Sequence, residues 1–151
     1  MSRRGEITMT REEVVAFLEQ ERTVACATIG PRGWPHVMPL WYVVRDGEVW
    51  ALTWARSQKV RNLERDPRAT LQVEAGDSYD ELRGVMIEAR AVIHRDAETI
   101  VEIGEQLVAR HPAEPLTAEA VARQAPKRAA LQFVAQRVAS FDHRKLPTGV
   151  Y

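Results

Sequence analysis

A single cysteine in 151 residues, Cys26, excludes an intramolecular disulfide and argues against a cysteine-based metal site, to which it could give one ligand at most. Lying in the apolar run VACATI, it reads as a small core residue rather than a reactive thiol. There is no excess of either charge: 21 Lys and Arg balance 21 Asp and Glu. Nothing global then draws the chain toward nucleic acid or an anionic membrane, and any electrostatic function is local. There is no apolar run of membrane-spanning length, and MSRRGEITMT has no apolar run, so it does not read as a secretory signal. The expected location is the cytoplasm. His36, His94, His111 and His143 lack metal-ligand spacing. No G-x-S-x-G, H-E-x-x-H or P-loop motif is present. No pair of carboxylates is positioned by sequence for acid–base work. If the protein is an enzyme, its reactive group is expected to belong to a bound cofactor.

What is present is an ordinary globular composition, 45% hydrophobic and 28% charged. It is read as one domain over residues 1–151. TVACATIG, WPHVMPLWYVV, EVWALTW, ATLQVEA, VMIEARAVI and AALQFVAQRVASF read as strands. Asp46-Gly47 marks a hairpin between the second and third. DAETIVEIGEQLVARH reads as a helix with Ile100, Ile103, Gly104, Leu107 and Val108 on one side. A shorter helix is expected from Thr117 to Gln124. In the last strand Leu131, Phe133 and Ala135 are expected to face one way. Tight turns between strands, without regular strand–helix alternation, predict a mainly β, α+β architecture. It is a six-stranded antiparallel barrel, closed or nearly so, with flanking helices.

The second strand is apolar on both faces. Val37, Pro39, Trp41 and Val43 alternate with Met38, Leu40, Tyr42 and Val44. One face can enter the core; the other needs a helix, a second subunit or a flat ligand over it. Pro39 interrupts the ladder, either as an edge proline or to let a ligand approach the backbone. Trp41, Trp50 and Trp54 can wall a planar ring or simply fill the core.

Two helix starts differ. At MTREEVVAFLEQ, Thr10 and Glu13 make a capping box, Met9 and Val14 a hydrophobic staple, and acids follow the cap. At TWARSQKVRNLERDP, Ser57 is the expected cap, yet Arg56, Lys59 and Arg61 surround it. A helix N-terminus already carries partial positive charge. Such a start repels itself unless an anion sits there, and it suits a phosphate or carboxylate. A solvated basic face is the simpler alternative. Thr53, Ser57 and Lys59 are expected to converge on one anionic group, with Lys59 exposed and unpaired.

P-H-V-M-P-L-W-Y, D-G and A-L-T-W-A-R-S-Q-K-V-R-N-L-E-R-D-P together resemble the pyridoxamine 5′-phosphate oxidase-like split β-barrel superfamily. S-F-D-H-R-K-L adds likeness to its flavin/deazaflavin branch, especially the group using coenzyme F420. The resemblance runs from about Thr10 to Leu146. It implies an FMN-binding split-barrel fold and a homodimer with cofactor sites at the interface. It places the cofactor phosphate on Arg56, Ser57, Gln58, Lys59 and Arg61. The ring is implied along Val37, Met38, Pro39 and Leu40, flanked by Leu52 and Thr53. The implied activity moves a hydride between reduced deazaflavin and a small conjugated substrate. Trp41 and Tyr42 are expected to face that substrate, Tyr42 offering a proton or hydrogen bond. Binding to nucleic acid, membrane or metal is not implied.

The sequence departs from the oxidases of vitamin B6 synthesis. His36 stands where they carry an Arg, and their basic substrate residues near the C-terminus are in a different pattern. Arg32, Arg61 and Lys145 are candidates for a polyglutamate tail. Specificity is expected in loops such as 76–84 and in the C-terminal tail. FMN is the alternative cofactor, and a non-catalytic cofactor or haem binder the rival class.

Overall fold

The structure is a computed structural model and describes residues 3–147 and Gly149; Val150 and Tyr151, which end the tail, lie outside. Six strands alternate irregularly with four helices among these residues. In chain order they are α1 (Arg11–Gln20), β1 (Thr23–Ile29), β2 (Pro35–Arg45), β3 (Glu48–Trp54), α2 (Gln58–Arg65), β4 (Arg68–Ala75), β5 (Arg83–His94), α3 (Ala97–Arg110), α4 (Ala118–Gln124) and β6 (Arg128–Asp142). The strands close into an antiparallel barrel in the order β1-β2-β3-β6-β5-β4.

The Asp46-Gly47 hairpin forms as expected. Both residues have positive φ, 53° and 78°, the backbone of a two-residue turn whose twist matches its strands. Inside the barrel, Val24, Leu71, Val85, Leu131 and Phe133 pack with Phe17 and Leu18 of α1. Outside, Val43, Trp50 and Ala130 lie beneath Ile100, Ile103 and Leu107 of α3. Both faces of β2 and β3 are therefore covered over part of their length, which explains their continuous apolar sequences. Each fully buried large aliphatic or aromatic side chain contributes roughly 1.5–3 kcal/mol of transfer free energy. Gly104 lets α4 sit close to α3, since a Cβ there would lie 2.1 Å from Val121 Cγ1.

The barrel has a seam. β2 pairs with β1 along its length, from Thr23 opposite Trp41 to Ile29 opposite Pro35. Its ladder with β3 runs only from Tyr42–Ala51 to Arg45–Glu48. Residues 35–41 thus have a strand neighbour on one side only. Pro39 sits in this half-open segment, and its pairing with Ala25 of β1 is uninterrupted. The gap lies on the other edge, as suits an edge proline.

Ala135 does not join Leu131 and Phe133 in the core but is exposed. The β3–β6 ladder ends at Val49–Phe133, and a register shift against β5 follows at Gln136. Beyond that point β3 no longer flanks β6.

Candidate functional site

The end of β3 and the start of α2 bring together the groups expected to converge. Thr53 Oγ1 lies 3.4 Å from Ser57 Oγ, and the Lys59 ammonium donates to Thr53 Oγ1 at 3.2 Å. Ser57 occupies the N-cap position with extended backbone, but its side chain makes no cap hydrogen bond. Its hydroxyl turns toward Thr53 instead. By helix geometry the N–H groups of Gln58, Lys59 and Val60 have no partner further back in the helix. There is no acidic residue in that first turn. Hydroxyls, free amides and an ammonium therefore share one place.

Lys59 corrects an expectation. It is not exposed: only 9% of its surface is accessible, and its partner in the structure is a neutral hydroxyl. Burial lowers its pKa below the ordinary lysine value. A buried ammonium held by one hydroxyl is short of compensating negative charge. Arg56, Gln58 and Arg61 are exposed around it.

Asn62, which the sequence reading passed over, fixes this helix. It is fully buried, donates to Thr28 Oγ1 at 2.9 Å and accepts from Gln58 Nε2 at 2.8 Å. Arg65 adds a bond to the Ile29 carbonyl at 2.6 Å. These bonds pin α2 to β1. The available signal was an asparagine in a short helix's interior, where its intrinsic propensity is poor.

Along the seam, Val37, Met38 and Trp41 are exposed by 55%, 47% and 41%. Pro39 is exposed as well. Leu40 differs, because its side chain is buried in the barrel core. Only its backbone remains at the half-open edge. Tyr42 is a second correction. It is fully buried and donates to the Leu18 carbonyl at 2.6 Å. Burial pushes its phenol up to about 12. It ties β2 to α1 inside the barrel and does not line the cleft beside Trp41; the alternation that exposes Trp41 turns its neighbour inward. Trp50 takes the core-filling alternative, buried in the outer cluster and stacked on His94 with centroids 5.0 Å apart. Trp54 remains half exposed, with the Arg128 guanidinium 3.8 Å from its ring centroid.

On the outer face of β3 a cleft of about 240 Å³ opens toward α3 and α4. Trp41, Leu52, Leu107, Leu116 and Val121 form its apolar wall, and Arg128 and Gln124 its polar part. Trp41 stacks nearly parallel on His111, centroids 3.9 Å apart. Leu52 faces this cleft while Thr53 faces Lys59, so one strand separates the two places by its own alternation.

Other expected groups lie elsewhere. Lys145 is engaged by the Thr8 carbonyl and, at 2.6 Å, by Glu13, so it is not a free cation for a polyglutamate tail. Loop 76–84 and the tail meet each other, His143 Nδ1 lying 2.7 Å from the Tyr79 carbonyl oxygen. Within one chain the full length of β6 separates them from Arg128. They do not border this chain's own cleft. Arg32 is exposed in the turn before β2. Burial raises the Cys26 thiol to about 11, as befits a core residue. Among the described residues there is no group of three His, Cys, Asp or Glu able to hold a metal, and no helix is long and apolar enough to cross a membrane.

A family model described as pyridoxamine 5′-phosphate oxidase matches residues 10–142. A conserved hypothetical protein from Mycobacterium tuberculosis superposes with a TM-score of 0.88 at 41% identity, covering 100% of this chain and 97% of that one. An F420 reductase superposes with a TM-score of 0.69 at 20% identity, over 82% of this chain and 93% of that one. A haem storage protein from Vibrio cholerae superposes at 0.67 with 19% identity over 89% and 98%. The last two likenesses show a shared fold. Among curated proteins there is no significant match.

Proposed function

The chain belongs to the pyridoxamine 5′-phosphate oxidase family, and from that premise we propose that it is a cytoplasmic, F420-dependent oxidoreductase acting on a small conjugated substrate. The observation that carries this reading is the buried Lys59 ammonium, held by one neutral hydroxyl at an uncapped helix start. A phosphate there would supply the missing negative charge and accept from Ser57, Thr53 and the first-turn amides. The residues therefore fit a phosphate-bearing cofactor. Arg56, Gln58 and Arg61 surround the same anion from solvent.

The ring would lie along the half-open edge of β2, against Val37, Met38, Pro39 and the backbone of Leu40, with Leu52 and Thr53 beside it. Such a cofactor supplies the hydride chemistry that the side chains here lack. The protein's part is to bind, orient and exclude water. Trp41 lines the adjoining cleft and is the substrate-facing residue; Tyr42 has no such role. FMN also offers a phosphate and a tricyclic ring, so it remains the alternative at the same residues. The likeness of the S-F-D-H-R-K-L tail to the deazaflavin group favours F420. We also propose a homodimer, since Trp34, Val37 and Met38 leave an apolar strip on and beside the seam that a second copy would cover.

The test is a side-by-side titration of F420 and FMN against purified protein. Tighter binding of F420 supports the reading. Tighter binding of FMN keeps the site and changes the cofactor. Binding of neither removes the proposed activity.

A further inference from the structure

The cleft under α3 and α4 has one feature that its apolar wall does not explain. Arg128 lines it, half buried, and has no acidic partner among the described residues. The guanidinium donates to Gln124 Oε1 at 2.6 Å and lies against the face of Trp54. An arginine has five N–H donors in a planar fork that matches a carboxylate. Beside it the cleft offers leucine, valine and one indole face, and Gly104 keeps α3 and α4 close together at its back.

We propose that this cleft selects the substrate: a flat, apolar, conjugated molecule bearing a carboxylate, whose apolar body packs against Trp41, Leu52 and Val121 and whose carboxylate pairs with Arg128. This rests on the redox reading above, since it names the substrate class of that activity. Leu52 and Thr53 are successive residues on β3, so the cleft lies next to the Lys59 site across a single strand. A ring held at the seam then has the substrate's conjugated body as its neighbour at Trp41.

The probe is trans-cinnamate, compared with neutral cinnamamide and titrated into the cofactor-free protein by calorimetry and tryptophan fluorescence. Trp41 lines the cleft and Trp54 covers Arg128, so binding should change the emission. The acid is expected to bind about tenfold or more tighter than the amide, the scale of one charge-assisted pair. Arg128→Gln should erase that preference and leave the cofactor affinity unchanged, whereas Lys59→Ala should leave cinnamate binding unchanged. Equal affinity for acid and amide in the wild type, or no binding of either, overturns the proposal without any variant having to fold. Cofactor binding without acid preference removes only this inference. Acid preference without any cofactor binding removes the redox reading and leaves the cleft a carboxylate site.

Discussion

The starts of α1 and α2 are written in opposite ways. At α1, Thr10 Oγ1 accepts from the Glu13 amide, Glu13 accepts from the Thr10 amide at 2.7 Å, and Glu12 and Glu13 follow the cap. The cap side chain, the cap amide and the Glu13 amide of that start all find partners within the chain. At α2 the cap side chain makes no cap bond, the acids are absent and a lysine is buried instead. Stability alone would favour the first arrangement at both places. The contrast teaches that α2's start, anchored through Asn62 and Arg65, keeps groups that the chain itself leaves unsatisfied, and the proposed cofactor phosphate is what would answer them.

The largest test of that contrast is Lys59→Ala. Cofactor affinity should fall about 10- to 100-fold, the scale of a hydrogen bond to a charged group. The melting temperature of the free protein should hold or rise, because a desolvated charge is removed. A clear loss of stability with unchanged affinity would make Lys59 structural. Raising pH tests the same group. Its folded pKa lies below its ordinary value, so the unfolded chain binds more protons between the two. Free-protein stability from this group therefore rises with pH across that window. Cofactor affinity should fall over the same window as the ammonium is lost, and a titration at several pH values reads it.

Thr10→Ala sharpens the comparison from the other side. Loss of its cap should cost about 1 kcal/mol of stability with no effect on binding. Tyr42→Phe should likewise cost about 1 kcal/mol through the lost bond to Leu18 and leave turnover unchanged; a drop in turnover at constant stability would restore the substrate role. The smallest effect is expected at Ser57→Ala. It should change stability by less than about 0.5 kcal/mol, because no cap bond is lost, while weakening cofactor binding severalfold. A stability loss matching that of Thr10→Ala would erase the distinction between the two helix starts. Denaturant unfolding measures all three.

Much of the fold was legible from local pattern. The Asp46-Gly47 turn, the Thr10 cap and the six strands appear where residue chemistry places them. The convergence of Thr53, Ser57 and Lys59 was legible for the same reason, because Thr53 and Lys59 lie only six residues apart across a strand end and a helix start, which leaves little freedom. The sidedness of β2 was not. Its sequence is apolar on both faces, and periodicity cannot say which face closes the barrel and which lies under α3. Register against β1 and β3 decided that Tyr42 and Leu40 go inward while Trp41 stays out.

Sequence alone determined the elements, the charge pattern at the second helix start and the residues beside it, because these depend on neighbours a few positions apart. Tertiary structure decided that Lys59 is buried, that Trp50 belongs to the core, and that Arg128 shares a cleft with Trp41. Those outcomes depend on segments far apart in the chain: α2 docking on β1, α3 covering β3, and β6 arriving beside Trp54. Burial and pairing are set by that packing, and no local pattern carries them.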